Sequence, residues 1–265
     1  MSEADTSVVD AGSTVAKSAG SGSLAATLTF VVLGVVGGLI SGVIVHSLEN
    51  YIQYPWPEDV PPMEGAGPFP LEQIEAADMV RVASDYRNIS LSFAIVAALV
   101  AALMGVAKGI VERSPAVMVK SVVVGIVSGA VLGGIGGLAA VFIRQQMATW
   151  VPQSALTSQL YTMALQLPAW LAVAVAAALA AGLFSVSGKK HVVPVTGVAI
   201  AGVLIAVLLY PTAGSLIFPG EATDMVVPSA RDSIGNRLSW AGLHVALMAL
   251  LVGRQVSASR APESA

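Results

Sequence analysis

Residues 121–143 read SVVVGIVSGAVLGGIGGLAAVFI, an uncharged apolar run held between Lys120 and Arg144. A helix rises about 1.5 Å per residue and the hydrocarbon layer is about 30 Å thick, so a run of this length is what one membrane crossing needs. Working outward, the same test finds five more spans. Span one is Leu24 to Val45, span two lies between Arg87 and Lys108, and the opening run is span three. Span four runs from about Pro168 to Ser187, span five from about Val192 to Tyr210, and span six lies between Arg237 and Arg254. The sixth is short for the hydrocarbon layer unless its two arginines snorkel.

The composition agrees. Of 265 residues 55% are hydrophobic and 11% charged, with a mean hydropathy of +0.80, whereas soluble domains carry about 25% charged residues. This excludes a soluble globular protein, and the low charge excludes a disordered one. A net charge of −3 argues against nucleic acid as a partner and leaves the lipid bilayer. The absence of cysteine excludes thiolate catalysis and cysteine-ligated metal. The expected fold is therefore all-α, a polytopic bundle of six transmembrane helices.

Domain organisation follows. Residues 1–23, rich in Ser, Gly and Ala, are expected to form a disordered tail; 24–255 form a single membrane domain, and 256–265 a second tail. The Pro-rich segment 51–70 is expected to be an extended loop or lid inserted between spans one and two.

Six spans divide the loops into two sets. The set sharing the termini holds Lys17, Lys108, Arg113, Lys120, Lys189, Lys190, Arg254 and Arg260, eight bases against five acids. The opposite set holds Arg81, Arg87, Arg144, Arg231 and Arg237, five bases against eleven acids. The positive-inside rule then puts both termini in the cytoplasm and the chain in the cell (cytoplasmic) membrane. All four tryptophans and all five tyrosines fall at or near the outer ends of the spans, where amphipathic rings are expected as interfacial anchors.

An internal repeat is written in the outer segments. Residues 75–80 read EAADMV and 221–226 read EATDMV, each preceded by Phe-Pro (Phe69, Pro70; Phe218, Pro219). Each is followed by a similar helix start, LSFA at 91–94 and LSWA at 238–241, with a looser version, LPAW, at 167–170. We read three two-helix units, about 24–112, 116–188 and 191–255, with short interfacial helices on the outer side. In the middle loop Leu156, Leu160, Met163 and Leu167 keep helical spacing beside Gln159 and Gln166, the pattern of a helix lying on a membrane surface.

Glycines recur every four residues at Gly34, Gly38 and Gly42 in span one and at Gly125, Gly129, Gly133 and Gly137 in span three. Span five has a shorter version at Gly197 and Ala201. Small residues at this spacing let helix backbones approach closely, so these faces are expected to pack the odd spans together at the bundle centre.

Candidate chemistry is sparse. The pairs Glu75/Asp78 and Glu221/Asp224 each put two carboxylates on one helical face, a candidate vestibule for a hard cation; acids at the start of an interfacial helix look the same. His244 is the one ionisable residue expected deep in a span, either as a proton- or metal-binding group or as a packing residue with a satisfied hydrogen bond. No G-x-S-x-G, H-E-x-x-H or EF-hand motif is present, so neither an enzyme nor a cofactor is expected. The expected role is structural, the assembly of other membrane subunits or of a homo-oligomer through glycine faces. The alternative is a permease or channel for a small neutral solute or a cation.

Overall fold

The computed structural model describes residues 7–48, 55–61, 63, 68–186, 191–221, 223, 225–228 and 233–259. They form six helices, α1 (Ser7–Leu48), α2 (Leu71–Glu112), α3 (Pro115–Gln146), α4 (Ala155–Gly182), α5 (Val192–Ile217) and α6 (Ile234–Ala258). All six contain a stretch long and apolar enough to cross a membrane. The chain is thus an all-helical, multi-pass integral membrane protein in contact with the lipid bilayer.

Helix ends follow local chemistry. Ser114 caps α3 by accepting from the Val117 amide, with Pro115 in the first turn where its missing N–H costs nothing. Ser154 and Thr157 form a reciprocal capping box on α4, and Ser233 caps α6 by accepting from the Asn236 amide. Arg113 takes a left-handed conformation with φ of 52° and sends its amide to Gly109 and Ile110 carbonyls. That turn folds α3 straight back on α2, and the two share one of the two most extensive interfaces in the bundle.

The other such interface is between the first and last helices. Antiparallel α1 and α6 meet where the Thr27 hydroxyl lies 3.3 Å from the Ser257 hydroxyl, which also donates to the Ser23 carbonyl. We call this end of the bundle the terminal face and the opposite end the far face. Each outer helix sits in the groove between two inner ones: α1 between α2 and α6, α3 between α2 and α4, α5 between α4 and α6. The innermost helix, α4, is walled on nearly every side; Ala176, Ala177, Ala178, Ala180 and Ala181 are all buried.

This layout corrects the expectation that odd spans meet at the centre. Among the described residues α1, α3 and α5 do not pack substantially on one another. Their glycine rows face the even helices instead. A Cβ placed on Gly129 would stand 2.5 Å from the Ala97 carbonyl oxygen of α2, one on Gly125 2.6 Å from that of Ala101, and one on Gly137 2.7 Å from the Ser90 Cα; Gly133 is as tight against Phe93. On α1, Gly34 lies against Met104 and Ala249, Gly38 against Ala241, and Gly42 against Leu238. Gly197 is exposed with nothing near it; the close approach of α5 to α6 is made at Gly202, against the Met248 backbone. Opposite the glycines, α3 exposes Val123, Val127, Val131, Ile135, Leu138 and Phe142, the apolar surface that lipid requires.

Other boundaries differ too. Helix α1 starts at Ser7, where a disordered tail through residue 23 was expected; no proline interrupts residues 7–22, and extending a folded helix end is cheap compared with nucleating one. The pattern at 156–167 belongs to the first half of α4, which runs through Pro168, and α5 likewise runs through Pro211. One proline removes one hydrogen bond, and packed neighbours in a bundle compensate for it. In the 51–70 loop the described residues form neither helix nor strand; Trp56 donates to the Val60 carbonyl across one turn.

The acidic words do not occupy equivalent structures. Residues 75–80 lie inside α2, which is continuous from Leu71, whereas the described residues of 221–226 lie in bends after α5. A separate interfacial helix forms at neither word, so the words themselves do not define the repeat.

Candidate functional site

The three inner helices bring three aromatic side chains together. Phe93 of α2, Trp170 of α4 and Trp240 of α6 meet edge to face, with ring centroids 5.7 Å, 5.6 Å and 5.1 Å apart, and all three are fully buried. Edge-to-face geometry is what aromatic quadrupoles favour. The three rings fill the space between the inner helices. Trp170, Trp240 and Tyr210 were expected as interfacial anchors and are core residues instead. Large aromatic rings fill the space that the small side chains of the alanine-rich helices leave between them.

His244 belongs to this cluster. Its ring stacks on Trp170 at 4.2 Å and 8°, and its Nδ1 lies 2.7 Å from the Trp240 carbonyl oxygen, which only accepts. In the neutral ring the proton is therefore on Nδ1, and Nε2 is a bare acceptor. Four buried polar atoms around the rings have no hydrogen-bond partner among the described residues: His244 Nε2, Gln166 Oε1 and the indole Nε1 of Trp170 and Trp240. Nearby, Tyr210 donates to Asn236 Oδ1 at 2.5 Å, and Asn236 and Arg237 are fully buried. A loop position was expected for Arg237; the structure puts it in the first turn of α6.

On the far-face side of the rings a pocket of about 200 Å³ opens, lined by Asp85, Asn88, Ile89, Ser92, Arg144, Met225 and Val227. Asp85, Asn88 and Ser92 share one face of α2 by their spacing of three and four, with Phe93 following. Arg144 comes from the end of α3 and donates through Nη1 to Asp85 Oδ2 at 3.0 Å, with the two side chains 32% and 25% exposed. Asn88 Oδ1 is buried and has no hydrogen-bond partner among the described residues. The Gln166 amide donates to the Met225 carbonyl at 2.8 Å, holding the 225–228 segment over the pocket.

The terminal face carries a second ion pair. Lys108 and Glu112, one turn apart on α2, meet at 3.0 Å with side chains only 2% and 7% exposed. Glu112 also accepts from the Ser185 hydroxyl and the Val186 amide after α4. Lys108 was expected as a loop base.

Two residues of the expected cation vestibule, Asp78 and Glu221, are engaged by local partners. Glu75 and Asp78 stay on the exposed surface of α2, where Asp78 pairs with Arg81 at 3.1 Å. Glu221 accepts from the Ser233 amide and hydroxyl, and Asp224 lies outside the described residues. No group of three or more His, Asp or Glu capable of holding a metal forms among the described residues. The sequence reading missed Asp85, Asn88, Arg144 and Gln166. Asp85 and Arg144 stand 59 positions apart, and only the α2–α3 turn brings them together.

Comparison with family models, with curated proteins and with solved structures found no match.

Proposed function

We propose that this protein binds a small polar solute at the far face of its membrane bundle and acts as a permease rather than an enzyme. The observation that carries the reading is the polar pocket between α2 and α3, whose lining residues Ile89 and Ser92 stand next to Phe93 of the buried ring cluster on α2. Charged and amide groups near or within spans are costly, and a function that needs them is the usual reason they persist. Gln166, His244 and the two indole N–H groups, buried around the rings with unmet hydrogen-bonding capacity, support a polar route that the rings close. No cofactor is assigned to it. The positive-inside count supports a cytoplasmic terminal face in the cell membrane, with the pocket on the outside. Three two-helix units gain support from the convergence of Phe93, Trp170 and Trp240, one from each of the LSFA, LPAW and LSWA words.

The test is uptake by proteoliposomes of radiolabelled glycerol, urea, alanine, choline and acetate. Saturable uptake of at least one, lost in Gln166→Leu, is expected; no uptake of any by sealed vesicles holding folded protein would contradict the reading.

A second reading, a structural subunit that assembles other membrane proteins or copies of itself, draws on a different place. An apolar groove of about 460 Å³ runs along α6 between α1 and α5, lined by Val35, Leu39, Tyr210, Gly214, Gly242 and Leu243 among others. It supports a lateral partner better than the glycine rows do, because α1 and α3 use theirs within the chain. Co-purification of a stoichiometric partner that Gly242→Leu displaces would favour it.

A further inference from the structure

We infer that the far-face pocket selects a small zwitterion, a solute carrying an ammonium and a carboxylate a few ångströms apart, such as an amino acid. The inference rests on the solute-binding reading and adds the class of solute.

The walls of the pocket differ in sign. On the α2 wall stand Asp85 and Asn88, on the α3 wall Arg144. A single contact joins Arg144 Nη1 to Asp85 Oδ2, although a guanidinium and a carboxylate can pair through two parallel hydrogen bonds. Asp85 Oδ1 and the remaining guanidinium N–H groups make no hydrogen bond to other described residues. Asn88 Oδ1, buried one turn along the same face, is an acceptor with nothing to accept.

An ammonium has three N–H donors and no acceptor, so Asp85 Oδ1 and Asn88 Oδ1 together match it. A carboxylate matches the open edge of the Arg144 fork. Ser92, with both donor and acceptor capacity, also lines the pocket.

Charge balance decides between solute classes. A lone anion entering between Asp85 and Arg144 takes the arginine and leaves the aspartate unpaired in a partly buried site; a lone cation does the converse. Each leaves one charge without its counterpart, a cost that cancels much of what the new contact gives. A zwitterion gives each protein charge a new partner, and the pocket stays neutral throughout. The volume fits: about 200 Å³ is below the roughly 300–1,000 Å³ of sites for drug-sized ligands.

Calorimetric titration of the full chain in lipid nanodiscs tests this, with glycine, alanine and β-alanine as zwitterions, propionate and ethylammonium as singly charged analogues, and glycerol as the neutral probe. At least one zwitterion is expected to bind at least tenfold more tightly than the other three probes, and Arg144→Gln or Asp85→Asn to weaken it at least tenfold. The exchange Asp85→Arg with Arg144→Asp keeps an ion pair and the fold but moves the carboxylate away from Asn88. It is expected to lose the zwitterion while melting like the parent protein. Propionate, ethylammonium or glycerol binding as tightly as every zwitterion would overturn the zwitterion class and leave the solute site standing. Binding of none of the six would overturn both.

Discussion

Helix α2 takes part in a buried ion pair near the terminal face and in an interhelical one near the far face, and the two are built differently. At the terminal face Lys108 and Glu112 are sealed from solvent, and the Glu112 carboxylate also holds Ser185 and Val186. At the far face Asp85 and Arg144 join two helices by one contact, about a quarter to a third exposed, beside a pocket whose acceptor Asn88 Oδ1 has no partner among the described residues. A sealed pair whose carboxylate also holds two neighbouring groups is a clasp: it ties the segment after α4 to the end of α2, away from solvent. A pair at the edge of a cavity can exchange partners. Ion-pair chemistry thus does opposite work at the two faces, and burial on one side against an adjoining cavity on the other marks which end is structural and which is the candidate site.

Breaking the clasp is expected to have the largest effect. Glu112→Ala leaves Lys108 buried without its counter-charge, which costs about 3–5 kcal/mol in comparable buried pairs. Thermal unfolding in detergent should show a large fall in midpoint, and replacement of both partners by Met and Leu should recover most of it. Stability unchanged in Glu112→Ala would remove the contrast.

Next in size is the α2–α3 seam that brings Asp85 to Arg144. Gly129→Leu forces a side chain into the Ala97 and Ala98 backbone. Overpacking of this kind costs about 1–3 kcal/mol or more where backbone must move. Gly197→Leu, on an open face of α5, should be close to neutral in the same assay. Equal destabilisation by the two would contradict the packing described.

The smallest effect on stability is expected at the far face. Asp85→Asn weakens a pair whose side chains are 25% and 32% exposed but keeps an amide oxygen that accepts from Arg144, so the cost is expected nearer the roughly 0–1 kcal/mol of exposed pairs than that of the clasp. Its midpoint should move little while solute binding falls. A collapse comparable to Glu112→Ala would make Asp85 a clasp as well.

The difference between the ends also explains what the sequence could and could not show. The six spans were legible because uncharged runs such as 121–143 have no other physical solution than burial in lipid or protein. The glycine rows of α1 and α3 signalled a close approach, but a four-residue period names a face and not the helix that will meet it. Gly129 lies on α2 rather than on another odd helix, and Gly197 shows that two small residues at this spacing are too weak a signal. Trp170 and Trp240 looked like anchors because position along a span tells depth, whereas their burial depends on which way the helix face turns. The acidic words EAADMV and EATDMV drew attention as letters, yet one continues a helix and the other follows its end. Asp85 and Arg144 were each read as loop charges. Their pairing depends on the tight turn at Arg113, and no local pattern announces a contact 59 residues apart.

The central claim, an open polar site at the far face and a sealed terminal half, is tested most directly by thiol labelling, since the chain has no cysteine of its own. Ser92→Cys in the pocket and Ser121→Cys, buried on α3 toward the terminal face, would be exposed in membranes to a small, charged, membrane-impermeant methanethiosulfonate. The structure predicts rapid modification at position 92, slowed by the bound solute, and none at position 121. Protection of position 92, or equal rates at both, would contradict the account.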